Sequence, residues 1–79
     1  MSKKIGVLGA GSWATALSRL LARLDHKVRM WSIFPEQVRE INETRENRQF
    51  LPGVVIPPGV EATVDLDNTL AEADVVLFG

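Results

Sequence analysis

The sequence contains no cysteine and no tyrosine, and a single histidine. Without cysteine there is no disulfide framework and no thiolate zinc site. A lone histidine leaves no histidine cluster to hold a metal, and no His/Asp pair or paired lysine suggests a catalytic constellation. No apolar run approaches the roughly 18 residues of a membrane span. Charge of one sign is also missing: the formal net charge is −1 and the basic residues are scattered, which argues against a nucleic-acid surface. The Lys3-Lys4 pair, the apolar stretch behind it and the small residues from Ala14 to Ala22 imitate a secretory leader. That reading fails because Gly9 and Gly11 interrupt the stretch and Arg19 falls in the would-be cleavage zone. The absence of targeting suggests cytoplasm.

What remains is 46% hydrophobic and 24% charged over 79 residues, the balance of a soluble globular chain of small size. The most informative stretch is Gly9-Ala10-Gly11-Ser12-Trp13-Ala14. It follows an apolar run over residues 4–8 and opens a segment of helical period. Strand, glycine turn and helix together give a G-x-G-x-x-G/A match the context a dinucleotide site needs. Gly9 allows the tight turn, and Gly11 lets main chain approach a pyrophosphate with no Cβ in the way. The helix start offers unpaired N–H groups and the positive end of a dipole. Ala14 replaces the third glycine and is expected to loosen the helix–strand contact slightly.

Trp13, Ala16, Leu17, Leu20, Leu21 and Leu24 recur at helical spacing, which predicts one inward apolar face. Asp25-His26 makes a turn. Residues 27–31 alternate at period two as a second strand. Pro35 suits the first turn of a helix over 35–44, with Val38 and Ile41 inward. Residues 47–59 read as a loop punctuated by Pro52, Gly53, Pro57, Pro58 and Gly59, with a short extended piece at 54–56. Residues 61–64 make a weak third strand, and Asp65 caps a short helix to about Ala73. Residues 74–78 form a fourth strand. The alternation predicts an α/β, Rossmann-like, doubly wound parallel sheet with right-handed crossovers and strand order 3-2-1-4. A sequence stopping on a core strand is expected to be the first part of a larger protein, so residues 1–79 are read as the N-terminal part of a dinucleotide-binding domain.

The second strand ends in Trp31-Ser32-Ile33-Phe34, without the acid that holds a ribose 2′-hydroxyl or an arginine for a 2′-phosphate. Glu36 follows late and fits a helix-dipole role better. Two readings stand for Trp13: a core ring, or a ring against cofactor or substrate. Two stand for Phe34: stacking near adenine or ribose, or stapling the second helix. His26 lies at the amino end of its strand, opposite the expected site, and reads as a turn residue.

Residues 9–17, Gly-Ala-Gly-Ser-Trp-Ala-Thr-Ala-Leu, resemble the opening of NAD(P)-dependent glycerol-3-phosphate dehydrogenases, where G-x-G-[SN]-W-G-[TS]-A is typical. Residues 46–53, Glu-Asn-Arg-Gln-Phe-Leu-Pro-Gly, with Ile56-Pro57, resemble that family's E-N-x-x-[YF]-L-P-x-x-x-[LI]-P block. Ala73-Asp74-Val75-Val76-Leu77 is similar to its fourth strand. The resemblance implies interconversion of sn-glycerol 3-phosphate and dihydroxyacetone phosphate, supplying phospholipid backbones, with NAD or NADP as cofactor and possible homodimers. It implies that Gly9, Ala10, Gly11, Ser12, Trp13, Ile33, Phe34 and Phe50 contact the cofactor. The family's catalytic lysines, one beyond the fourth strand and one in a helical C-terminal domain, have no counterpart in these 79 residues, so the chain alone is expected to be inactive. Where the family carries histidine or arginine for an NADP 2′-phosphate, this chain has Ile33 and Phe34, which tilts the expectation toward NAD. A 3-hydroxyacid or 6-phosphogluconate type dehydrogenase and a non-catalytic dinucleotide-binding module are the alternatives.

Overall fold

Residues 2–79 are described by a computed structural model. They form β1 (Lys4–Leu8), α1 (Ser12–Arg23), β2 (Lys27–Trp31), α2 (Pro35–Thr44), β3 (Val60–Thr63), α3 (Leu66–Glu72) and β4 (Val75–Phe78). All four strands are parallel and the sheet order is β3-β2-β1-β4. The expected α/β architecture and strand order are both present. The order reverses between β1 and β4, so a crevice opens at their carboxyl ends, where ligands of such sheets bind.

Register explains the core. Ile5 pairs with Val28 and Val28 with Val60, while Val7 pairs with Met30 and Met30 with Ala62. Because side chains alternate along a strand, these six share one face. All are buried, and with Ala10, Ala14, Ile41 and Ile56 they make a single cluster under α1 and α2. The α2 positions expected inward are inward: Ile41 is buried and Val38 packs against the cluster.

The face of α1 corrects the sequence reading. Trp13, Leu20 and Leu24 are exposed and Leu17 is half-buried, while the buried residues are Ala14, Thr15 and Ser18. Of the expected stripe, only Leu21 packs on the core, beside Ala22. The glycine turn starts the helix at Ser12 and so fixes its phase; positions 14, 18, 21 and 22 then lie over the strands, four and seven or eight residues apart. Small side chains on that face let the helix start come close to the sheet.

Ala14 sits inside this contact. It is fully buried. A Cβ placed on Gly79, at the end of β4, would stand 2.5 Å from the Ala14 Cβ. The methyl therefore occupies the space that a side chain at 79 would need.

In the loop over 47–59, the piece at 54–56 joins no strand of the sheet. Ile56 instead drops into the core, and its N–H donates to the Arg45 carbonyl at 2.7 Å. Arg45 closes α2 in a left-handed conformation (φ 57°), and its guanidinium donates to the carbonyls of Ile56, Pro57 and Val60. This cation gathers the loop and hands the chain to β3, which begins at Val60, one residue earlier than expected. Asp65 caps α3 as read, its carboxylate accepting the Asn68 N–H at 2.9 Å.

Candidate functional site

The glycine turn stands at the carboxyl end of β1. Gly9 has φ 134°, a conformation that penalises any residue with a Cβ, and its N–H donates to the Trp31 carbonyl at 2.9 Å. Gly11 is different. Its backbone is extended (φ −78°, ψ −168°), and a Cβ there would meet no atom within 4 Å. The openness at Gly11 is thus not used by any described residue of the fold.

The N–H groups that make no hydrogen bond to a described residue include those of Gly11, Ser12 and Trp13, and α1 has no side-chain N-cap. They are the orphan donors of a helix start, with the positive end of the α1 dipole behind them. The carbonyls of Ala10 and Gly11 are both engaged. Ala10 C=O accepts from Gln37 Nε2 at 2.8 Å and from Asn47 Nδ2 at 2.8 Å. Gly11 C=O accepts from the Thr15 N–H at 3.0 Å and from Thr15 Oγ1 at 2.7 Å. Between Gly11 and Trp13 the turn therefore presents donors, while the Ala10 and Gly11 acceptors are taken up by protein groups. Such a surface takes an anion with several oxygens.

Ser12 Oγ donates to the Phe50 carbonyl at 2.5 Å, which ties the turn to the 46–53 block. Phe34 and Phe50 line one cleft of about 670 Å³ together with Glu36, Gln37, Glu40, Asn47, Arg48 and Gln49. Trp13 is 66% exposed and Phe34 62%. This removes the core reading of Trp13. Phe34 sits at the N-cap of α2 with its ring open to solvent, so it does not staple the helix. Ile33 is exposed beside it, outside the cleft lining. Ala10 is buried and contributes only main chain. Glu36 occupies the first turn of α2, where its charge favours the dipole.

His26 and all three lysines, Lys3, Lys4 and Lys27, lie at the opposite, amino end of the sheet. His26 Nδ1 accepts the Lys3 N–H there at 3.1 Å, as a turn residue would. A second cleft, about 390 Å³, lies under α3 between Lys4, Gly6, Arg29 and Glu72, away from the glycine turn. Among the described residues no group of three or more His, Asp or Glu side chains could hold a metal ion. No helix of the described residues is long and apolar enough to cross a membrane.

The sequence model of NAD-dependent glycerol-3-phosphate dehydrogenase N-terminus matches residues 4–79. The chain belongs to this family. Among curated relatives, the glycerol-3-phosphate dehydrogenase [NAD(P)+] of Pelotomaculum thermopropionicum is 60% identical over all 79 residues, and that of Enterococcus faecalis is 45% identical over 78 residues, 99% of the chain. The chain spans 23% of the length of each. The solved glycerol-3-phosphate dehydrogenase of Coxiella burnetii superposes with a TM-score of 0.89 at 38% identity, over 98% of this chain and 24% of that one. The Saccharomyces cerevisiae enzyme gives 0.87 at 25% identity, over 100% of this chain and 26% of that one.

Within this glycerol-3-phosphate dehydrogenase N-terminal fold, the two blocks that carried the resemblance meet in space. Asn47 and Phe50 of the second hold Ala10 and Ser12 of the first. The sequence placed Thr15 and Asn47 in the two blocks but gave neither a role, and it passed over Gln37.

Proposed function

We propose that this chain is the cofactor-binding part of an oxidoreductase that interconverts sn-glycerol 3-phosphate and dihydroxyacetone phosphate with NAD(P)+ and NAD(P)H. The reading rests on one observation: three unpaired N–H groups, from Gly11 to Trp13, stand at the crevice between β1 and β4 with nothing at Gly11 to block a diphosphate. Residues 4–79, which the family's N-terminal model matches, surround them.

In this reading Gly9, Ala10 and Gly11 shape the turn, and Gly11, Ser12 and Trp13 donate their N–H groups to the diphosphate. The Trp13 ring stands free to cover the cofactor. Ile33, Phe34 and Phe50 flank the adenosine side, Phe34 and Phe50 from the walls of one cleft. When bound, the nicotinamide supplies the acceptor or donor of the hydride exchanged with substrate C2. The accompanying proton on the C2 oxygen needs a basic group, and lysine and histidine are confined to the amino end of this sheet. That group is assigned to chain outside these residues, along with a helical substrate domain, and the 79 residues alone do not turn over.

The cofactor reading tilts to NAD. Ile33 and Phe34 offer no positive charge, and the neighbouring cleft carries Glu36 and Glu40. Its cation, Arg48, faces Glu46 at 3.8 Å. A 2′-phosphate there would meet carboxylates rather than a free guanidinium. The enzyme is further proposed to be cytoplasmic, to supply glycerol phosphate for phospholipid synthesis, and to work as a homodimer. Titration of the full-length protein with NADH and NADPH, followed by turnover of dihydroxyacetone phosphate, tests the reading. Tighter NADH binding with turnover is expected. Equal affinity for both nucleotides contradicts the tilt, and NADH binding without turnover favours the non-catalytic module.

A further inference from the structure

We infer that Asn47 and Gln37 are positioning residues that aim the phosphate-facing amides by holding the Ala10 carbonyl from behind. The inference rests on the dinucleotide reading of the turn. A trans peptide is planar, and its C=O and N–H point in opposite directions. Whatever fixes the Ala10 carbonyl therefore fixes the N–H of Gly11. Two side-chain amides converge on that carbonyl, Gln37 Nε2 and Asn47 Nδ2, each at 2.8 Å. The next peptide is held likewise: Thr15 grips the Gly11 carbonyl with its N–H and its hydroxyl, and so aims the N–H of Ser12. Asn47 joins both grips, because its Nδ2 also donates to Thr15 Oγ1 at 2.9 Å.

The side chain accounting supports a task beyond filling space. Asn47 is 1% exposed. Both of its N–H hydrogens are spent on the turn, while its Oδ1 is buried without a partner. An unpaired buried acceptor is a cost the fold carries, and an apolar side chain would have packed there without it. Gln37 is braced in turn, its Oε1 accepting from Ser32 Oγ at 2.7 Å, and Ser32 Oγ accepting the Phe34 N–H at 3.1 Å. The geometry thus joins α2 and the 46–53 block to the glycine turn through one carbonyl oxygen. Glycine at 9 and 11 makes the turn pliable, and the two amides restore its order before a ligand arrives. Ordering a site in advance lowers the cost of binding.

The test uses the full-length protein with NADH, ADP-ribose and dihydroxyacetone phosphate. Variants Asn47→Ala and Gln37→Leu are compared with wild type, Gln37 being half-buried on α2 and its replacement close in size. Each is expected to raise the KM for NADH and the Kd for ADP-ribose together, roughly three- to tenfold, as loss of one hydrogen bond would. The loss sits in those constants rather than in kcat or in the KM for dihydroxyacetone phosphate. Unchanged NADH and ADP-ribose affinity in Gln37→Leu overturns the inference. So does a uniform fall of kcat and both affinities alongside a lowered melting point, which marks a structural role alone. A wild type that does not bind NADH removes the underlying reading instead.

Discussion

The two faces of the sheet are built on opposite principles from the same strands. On the face under α1 and α2, Ile5, Val7, Val28, Met30, Val60 and Ala62 form an unbroken apolar layer. On the face under α3, the alternate positions are Gly6, Arg29 and Glu61 in one register row, and Leu8, Trp31 and Thr63 in the next. There Arg29 bonds Asn68 and pairs with Glu72 at 3.4 Å and Glu61 at 3.6 Å. Gly6 makes room for Thr69: a Cβ at Gly6 would stand 3.0 Å from Thr69 Cγ2. One face is held by burial, which ionic screening does not weaken. The other is held by close backbone approach and exposed charge, which contribute little each. Parallel sheets are covered on both sides, usually by apolar surface. Here only the first face meets that description, and the glycine turn grows from that face, beside Ala14 and Ala10.

Adjacent residues of β2 give the widest contrast. Met30→Ala, at a fully buried position, is expected to cost about 2–5 kcal/mol in chemical denaturation. A cost below that range would break the contrast, since the apolar face would then not dominate. Gly79→Ala comes next. Its methyl would collide with Ala14, and overpacking of this kind costs about 1–3 kcal/mol. Ala14→Gly in the same molecule should recover much of the loss, and a double-mutant cycle measures the coupling. Arg29→Ala on the charged face is expected to cost about 1 kcal/mol or less, and less still in high salt.

The smallest effect is tied to pH. The Asn68 side chain's hydrogen bond, then the hydrogen bond and charge of Arg29, hold the Glu72 carboxyl below its ordinary value of 4.5. A carboxylate whose folded pKa is depressed contributes stability above its unfolded pKa and loses it as pH falls through the folded one. The stability difference between wild type and Glu72→Gln should therefore be flat above about pH 4.5 and close as the solution is acidified further. Urea midpoints across that range check it.

Much of this was legible because it is local. The period-two run over 27–31, Pro35 at the start of α2 and Asp65 before α3 each act within a turn of chain, and each element appeared where they put it. The strand order followed from alternation and handedness. The phase of α1 was not legible, because apolar periodicity locates a stripe without saying whether it faces the sheet; the geometry of the Gly9–Gly11 turn decides that. The 54–56 segment pairs with no strand; Ile56 is held by the main chain and guanidinium of Arg45 instead. The hold of Asn47 on Ala10 spans 37 positions. Such a contact leaves no mark in local spacing, so resemblance could flag the block but only geometry shows what its asparagine grips.

Gly11→Ala carries the central claim more directly than any other change. The added methyl meets no protein atom within 4 Å, and the backbone there is one alanine adopts freely. Gly11 is the N-cap of α1, where alanine is the poorer residue, and this opposes the entropy gain in the unfolded chain, so stability should stay within about 1 kcal/mol of wild type. Isothermal titration of the full-length variant with NADH is predicted to show affinity reduced at least about tenfold by the loss of close main-chain approach. Unchanged affinity, with the melting point preserved, would mean that no diphosphate rests on these amides.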